Sequence, residues 1–191
     1  MAANALIAFL QHYRHIPLPD QELINGAFEQ HVYPEGSVLL KPGHISNNLF
    51  FIVKGVLRIM VTNEKGVEIT HYFLKEDQFC TILNSFHNQV IAMESIQAAC
   101  DAEVLAIGRT ALLKLYEQLP YLRTLIDQIT QQALIDKIAI RNLYLGHPSA
   151  QRYRLFVERQ TDIAQRVSMA DTASYLGITP QSLSRIRKNL R

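Results

Sequence analysis

Between about residue 30 and residue 108 the chain sets short apolar runs between turn residues. The runs are VLL (38–40), LFFIV (49–53), VLRIMV (56–61), VEITHYFL (67–74), QFCTIL (78–83), VIAM (90–93), SIQAAC (95–100) and EVLAI (103–107), with Gly36, Gly43, Gly55 and Gly66 among them. Regularly spaced short strands of this kind predict a sandwich or barrel, and Asn63-Glu64-Lys65-Gly66 reads as a hairpin turn ending in glycine. On both sides the period becomes helical. Residues 4–28 read as helix with a break at Pro17–Asp20. After Arg109 the helical period returns, and Pro120 opens a long helix to about Leu145, since neither glycine nor proline intervenes before Gly146.

The last 24 residues, SMADTASYLGITPQSLSRIRKNLR (168–191), predict two short helices joined by a tight turn. Ser168 and Asp171 have the S-x-x-D spacing of a capping box. Ala173 is small where a partner helix must come close, and Gly177 supplies a left-handed residue that ends the first helix. Ile178 fills the corner. Thr179 suits the N-cap of the second helix and Pro180 its first position. Leu183, Ile186 and Leu190 then share one face.

The opposite face of that second helix carries Gln181, Ser182, Ser184, Arg185, Lys188 and Asn189. Those side chains suit a reader of the DNA major groove, where an amide bonds adenine bidentately and a guanidinium grips guanine. Thr179, Gln181, Ser182 and Arg185 are expected to read or orient bases, and Arg187 and Lys188 to anchor phosphates. A solvated amphipathic helix pair is the plainer alternative. Charge favours the DNA reading: residues 151–191 hold eight Lys/Arg against three acids, whereas the rest holds eleven against fourteen. A cationic end on an acidic body concentrates attraction to phosphate at that end.

Within the long helix, Ile126, Ala133 and Ile140 recur every seven residues, as do Ile129, Asp136 and Leu143. This pattern predicts a seam for a second copy, with one acid in it, although a helix packed on its own β domain would show the same spacing. Gly146-His147-Pro148-Ser149 reads as a hinge with Ser149 capping the next helix, over 150–165. The expected division is 1–119 for the N-terminal helices and β domain, 120–146 for the long helix, and 147–191 for the helix-turn-helix.

Composition removes several function classes. At 191 residues and 48% apolar, the chain can bury a real core. No apolar run approaches the about 20 residues of a membrane span, and MAANALIAFLQHYRH reads as a helix rather than a signal peptide. Cys80 and Cys100 are expected as buried thiols in a reducing cytosol. The scattered histidines 31, 44, 71 and 87 have neither HxH nor HExxH spacing, so no metal site is expected. Ser85 lacks a nucleophile-elbow setting, neither cysteine has an adjacent base, and Lys54-Gly55 is no phosphate-binding loop. An enzyme is not expected.

The order of these parts resembles the Crp/Fnr (cyclic-AMP receptor) family of transcription regulators. The segment YPEGSVLLKPGHISNNLFFIVKGVLRIMVTNEKG (33–66) is similar to the cyclic-nucleotide-binding β-roll, and ASYLGITPQSLSRIRKNL (173–190) to the helix-turn-helix of a subset common in Bacteroidetes-type bacteria. The resemblance implies an α+β chain: an N-terminal cyclic-nucleotide-binding-type β-roll (a double-stranded β-helix or jelly roll), a long dimerisation helix and a C-terminal helix-turn-helix. It also implies a cytoplasmic homodimer that binds promoter DNA and touches RNA polymerase. Two departures stand out. Where cAMP-binding members carry a Gly-Glu-Leu segment and a later Arg-Ser pair, this chain reads Thr81-Ile82-Leu83 and Ala92-Met93, and no arginine occurs between Arg58 and Arg109. A cyclic phosphate held there would lack its bidentate donor, at a cost of several kcal/mol. Neither cAMP nor cGMP is therefore expected as cofactor, and the degenerate pocket is left for an unknown small-molecule effector or for none. The sequence also ends at Arg191, where relatives often continue into a β-hairpin wing. The rival reading is a small-molecule-sensing β-roll that acts through protein contacts without specific DNA binding.

Overall fold

The computed structural model describes residues 2–189. Leu190, expected on the apolar face of the last helix, and Arg191 lie outside the described residues. Two helices, α1 (Ala2–Gln11) and α2 (Leu18–Ala27), come first. The break between them falls at residues 12–17, earlier than the proline pair suggests. Pro17 and Pro19 start α2 rather than interrupt it, because a missing N–H costs nothing at a helix N-terminus.

Eight strands follow: β1 (Glu29–Tyr33), β2 (Val38–Leu40), β3 (Asn48–Lys54), β4 (Leu57–Thr62), β5 (Glu68–Leu74), β6 (Phe79–Cys80), β7 (Glu94–Ala98) and β8 (Ala102–Gly108). They form two four-stranded sheets, β1-β8-β3-β6 and β2-β7-β4-β5, and every pairing is antiparallel. Phe50, Ile52, Leu57, Ile59, Ile96 and Val104 interdigitate between the sheets. The neighbouring positions Leu49, Phe51, Leu105 and Ile107 point the other way, into a second core with α1, α2 and the helices after β8. Burial on both faces explains why β3 and β8 read as unbroken apolar runs. Gly55 makes the corner from β3 to β4 at φ +95°, and a Cβ there would sit 2.3 Å from the Asp101 carbonyl oxygen, so only glycine fits.

Three apolar runs depart from their expected form. Residues 78–83 yield only the two-residue β6. Leu83–Asn88 then form a short helix, α3, and before it the Thr81 hydroxyl donates to the Asn48 carbonyl. In 90–93 only Ile91 pairs, in an isolated bridge with Ile45. Conversely β1, polar and largely exposed, gives no alternation to read, yet it forms the edge beside β8.

Beyond β8 come α4 (Arg109–Gln118), α5 (Pro120–Tyr144), α6 (Ser149–Arg159), α7 (Thr161–Ala164), α8 (Met169–Tyr175) and α9 (Pro180–Asn189). The helix expected over 150–165 is thus two, parted at Gln160. Ser149 does not cap α6. It is the first helical residue, with Pro148 in the cap position, and its hydroxyl accepts from Arg152.

A third apolar cluster joins the roll to the C-terminal helices. Val56, Phe73 and Ala99 from the outer face of the second sheet meet Tyr144, Phe156, Ile163 and Leu176. The Phe156 ring lies 6.4 Å from Phe73 and 5.6 Å from Tyr175.

Candidate nucleic-acid interface

The turn between α8 and α9 is built from local rules. Ser168 has the extended backbone of an N-cap, and its Oγ accepts from the Asp171 N–H at 3.0 Å. The fully buried Ala173 lets α9 approach. Gly177 stands at φ +64°, and the Ile178 N–H returns to the Ala173 carbonyl, closing α8 with the chain turned toward α9. The Thr179 Oγ1 accepts from the Ser182 N–H at 3.2 Å and caps α9. Leu183 is buried beneath α9 and Ile186 half-buried.

The opposite side of α9 faces solvent. Thr179, Gln181, Ser182, Arg185, Arg187, Lys188 and Asn189 are exposed, and Ser184 is half-buried. Beyond the Thr179–Ser182 cap, these side chains make no hydrogen bond or ion pair with the described residues. Arg187 leans toward the crevice lined by Phe156, Val157 and Leu183.

The face of α8 is used quite differently. Asp171, read from sequence as half of a capping box, turns its carboxylate to the Arg58 guanidinium on β4. Arg58 is 7% exposed. It also donates to Gln97 Oε1 at 2.7 Å, Glu68 Oε2 at 2.8 Å and Thr70 Oγ1 at 3.3 Å. Ser174 inserts its hydroxyl into the edge of β5, accepting from the Thr70 N–H and donating to the Glu68 carbonyl, both at 2.9 Å. Around α7, Arg166 pairs with both oxygens of Glu76, and Lys75 reaches Asp162 at 2.6 Å. Burial alone would raise the Glu76 carboxyl, but the bonds from Arg166 and from backbone N–H groups outweigh it and hold that carboxyl below its ordinary value. Sequence reading missed this network; its one signal was an arginine inside the apolar strand LRIMV.

The expected effector pocket is only partly where sequence placed it. Thr81, Ile82 and Leu83 line a cavity of about 310 Å³ between the roll and α5. Ala92 instead packs in the roll core, and Met93 is 72% exposed and away from the cavity. Among the described residues Lys137 is the cavity's only lysine or arginine, against Asp77, Glu94 and Asp136. Burial lowers the Lys137 ammonium below its ordinary value, with its Nζ 5.4 Å from the Tyr72 ring centroid. Cys80 is buried and its thiol is pushed up to about 12. Both cysteines are free thiols.

The six residues of the expected dimer seam fall in three surroundings. Ile126 and Ile129 are 4% and 6% exposed in the chain's own core. Ala133 and Asp136 line the cavity, and Ile140 and Leu143 pack on the Phe156 cluster. A seven-residue apolar spacing is satisfied as well by an intrachain core as by a partner. The apolar residues that α5 and its end leave exposed lie on another stripe, Leu134, Ile135, Ile138 and Leu145.

Among the described residues no helix is long and apolar enough to cross a membrane, and no cluster of His, Cys, Asp or Glu is arranged to hold a metal ion.

Residues 30–119 match the cyclic nucleotide-binding domain family. Over 114 residues the chain is 25% identical to the cAMP-activated global transcriptional regulator CRP of Salmonella typhimurium, covering 59% of this chain. It spans about half the length (54%) of that relative. In structure it is similar to the c-di-GMP responsive regulator CLP of Xanthomonas campestris, with a TM-score of 0.71, 15% identity and 91% of each chain covered. It is likewise similar to a crp/fnr-family regulator from Eubacterium rectale, with a TM-score of 0.70, 15% identity, and 95% and 87% covered. Residues 30–119 are thus similar to a cyclic nucleotide-binding domain, and the chain shares the fold of these regulators: that roll, a long helix and a C-terminal helix-turn-helix.

Proposed function

We propose that this chain is a sequence-specific, promoter-binding transcription regulator, not an enzyme, and that it works in the cytoplasm as a homodimer in contact with RNA polymerase. The exposed basic and amide face of α9, whose side chains have no partner among the described residues, carries the reading. Gln181, Ser182 and Arg185 lie where a recognition helix meets base edges, with Thr179 and Ser184 beside them, and Arg187 and Lys188 reach phosphates. A reader of this kind pairs to engage two half-sites about one DNA turn apart. The exposed stripe of Ile135, Ile138 and Leu145 supports the pairing contact.

The regulator does not respond to cAMP or cGMP. The roll cavity offers a phosphate one lysine among three carboxylates, and Arg58 on β4 is held by Glu68, Gln97 and Asp171. Calorimetric titration with cAMP is expected to give no heat; micromolar binding would refute this part.

A salt titration of the full chain on its selected operator tests the DNA reading. Affinity is expected to fall steeply and linearly on a log–log plot as salt rises from about 50 to 200 mM. Salt-insensitive binding, or none to any duplex, would favour a sensor that acts through protein contacts.

A further inference from the structure

Lys137, on α5, lines the roll cavity of about 310 Å³. Its Nζ stands 5.4 Å from the Tyr72 ring centroid, yet it makes no ion pair with the described residues. A lysine among carboxylates ordinarily pairs with one. Here Asp136 accepts from Gln132 at 2.9 Å, and neither Asp77 nor Glu94 pairs with the amine. Burial is the largest influence on Lys137 and lowers its ammonium below the ordinary value; the nearby Cys80 acts the other way and does not reverse it. Tyr13 and His71 also face the cavity, and burial, then Arg141, keeps the His71 imidazole below its ordinary value, so at neutral pH it adds no charge. Desolvation without a counter-ion is how a lysine becomes a nucleophile, because the free amine is populated where an exposed lysine is almost wholly protonated. The remaining walls include Ile59, Phe79, Ile82 and Ile129.

We propose that Lys137 captures a small uncharged aldehyde in this cavity as a reversible imine. The Nζ lone pair adds to the carbonyl carbon to give a carbinolamine. The carbon–oxygen bond then breaks and water leaves as the C=N bond forms, with no oxidant or reductant consumed. Dehydration needs a proton on the departing oxygen, and the carboxyl groups of Asp77, Glu94 and Asp136 border the same space. Those groups also favour the protonated imine, a cation, over an anionic adduct such as the carbamate that CO2 would form. For the same reason a phosphorylated or carboxylated aldehyde is disfavoured, since among the described residues no arginine lines the cavity to hold it. The apolar wall and the Tyr72 and Phe79 rings suit an aromatic aldehyde. The adduct joins α5 to a group seated against the roll, so it biases the seating of α5 on the roll by as much as it favours one seating over another.

The test uses the full chain without DNA, so its failure is distinct from failure of the regulator reading. Benzaldehyde is added at neutral pH with cyanoborohydride, which reduces the imine to a stable secondary amine, and the adduct is located by peptide mass mapping. Lys137 is expected to be labelled first, about tenfold or more ahead of the exposed Lys114, since each unit by which an amine's pKa falls is tenfold in free amine. The same ring carrying a carboxylate, 4-formylbenzoate, is expected to label Lys114 as readily as benzaldehyde does and Lys137 about tenfold more slowly. Lys137→Met is expected to abolish the fast label and Lys114→Arg to leave it unchanged. Mapping on the unmodified chain decides the matter even where Lys137→Met fails to fold. Labelling of Lys137 no faster than that of Lys114, equal labelling of Lys137 by the two aldehydes, or a fast label that persists in Lys137→Met would each overturn the proposal.

Discussion

The two helices of the C-terminal pair are neighbours put to opposite uses. The polar side chains of α8 turn inward: Asp171 to Arg58, Ser174 to the edge of β5. Those of α9 turn outward and find no partner among the described residues beyond their own cap. Where a polar group already has an intramolecular partner, its role is positional. Where a row of cations and amides has none, desolvating it is left for a second molecule. The fixed α8 thus aims the free α9, and the Phe156 cluster is the floor on which the end of α8 and the turn into α9 rest.

The strongest way to break this contrast is to remove the floor. Phe156 is fully buried, and Phe156→Ala is expected to cost about 3–5 kcal/mol, seen as a lower urea midpoint. If the cluster is shared as described, the roll and the helical domain lose stability together. A midpoint within about 0.5 kcal/mol of the parent would mean that the two regions are not joined there.

A paired experiment sharpens the comparison. Arg58→Gln leaves Asp171 without its cation and Gln97 without its donor, and is expected to cost about 3 kcal/mol of stability. Arg185→Ala, on the exposed face of α9, is expected to change stability by less than about 0.5 kcal/mol and to weaken the preferred operator by about 1–3 kcal/mol, relaxing base choice at one position. Denaturation and footprinting of both variants check it. An exchange of the two effects would reverse the roles given to the helices.

Local features were legible in the sequence and distant ones were not. Ser168, Gly177 and the Thr179-Pro180 step act within four residues of themselves, and each does in the structure what its chemistry dictates. LFFIV was legible as a strand because burial on both faces leaves an unbroken apolar run. Arg58 was not, since its partner lies 113 residues away and Asp171 had a sufficient local role as a cap residue. The α5 heptads are ambiguous for a related reason. Periodicity marks which positions are buried and not what buries them, and Ile126 and Ile129 are covered by the chain's own core. The acid-lined roll cavity gathers residues from segments far apart in the chain, so no window of sequence shows it.

The smallest effect probes the outer edge of α9. Lys188 lies in its last turn, exposed and without an ion pair among the described residues. A lysine that meets only phosphate contributes counterion release and no base choice. Lys188→Gln is therefore expected to weaken all duplexes to a similar degree and to lower the salt slope by about 1, with the specificity ratio unchanged. Arg185→Ala makes the opposite change, altering the ratio more than the slope. Salt titrations of both variants on operator and random DNA separate the two. If Lys188→Gln shifted the ratio instead, the base-reading part of α9 would extend to its last turn, and the assignment of Arg187 to phosphate would have to change with it.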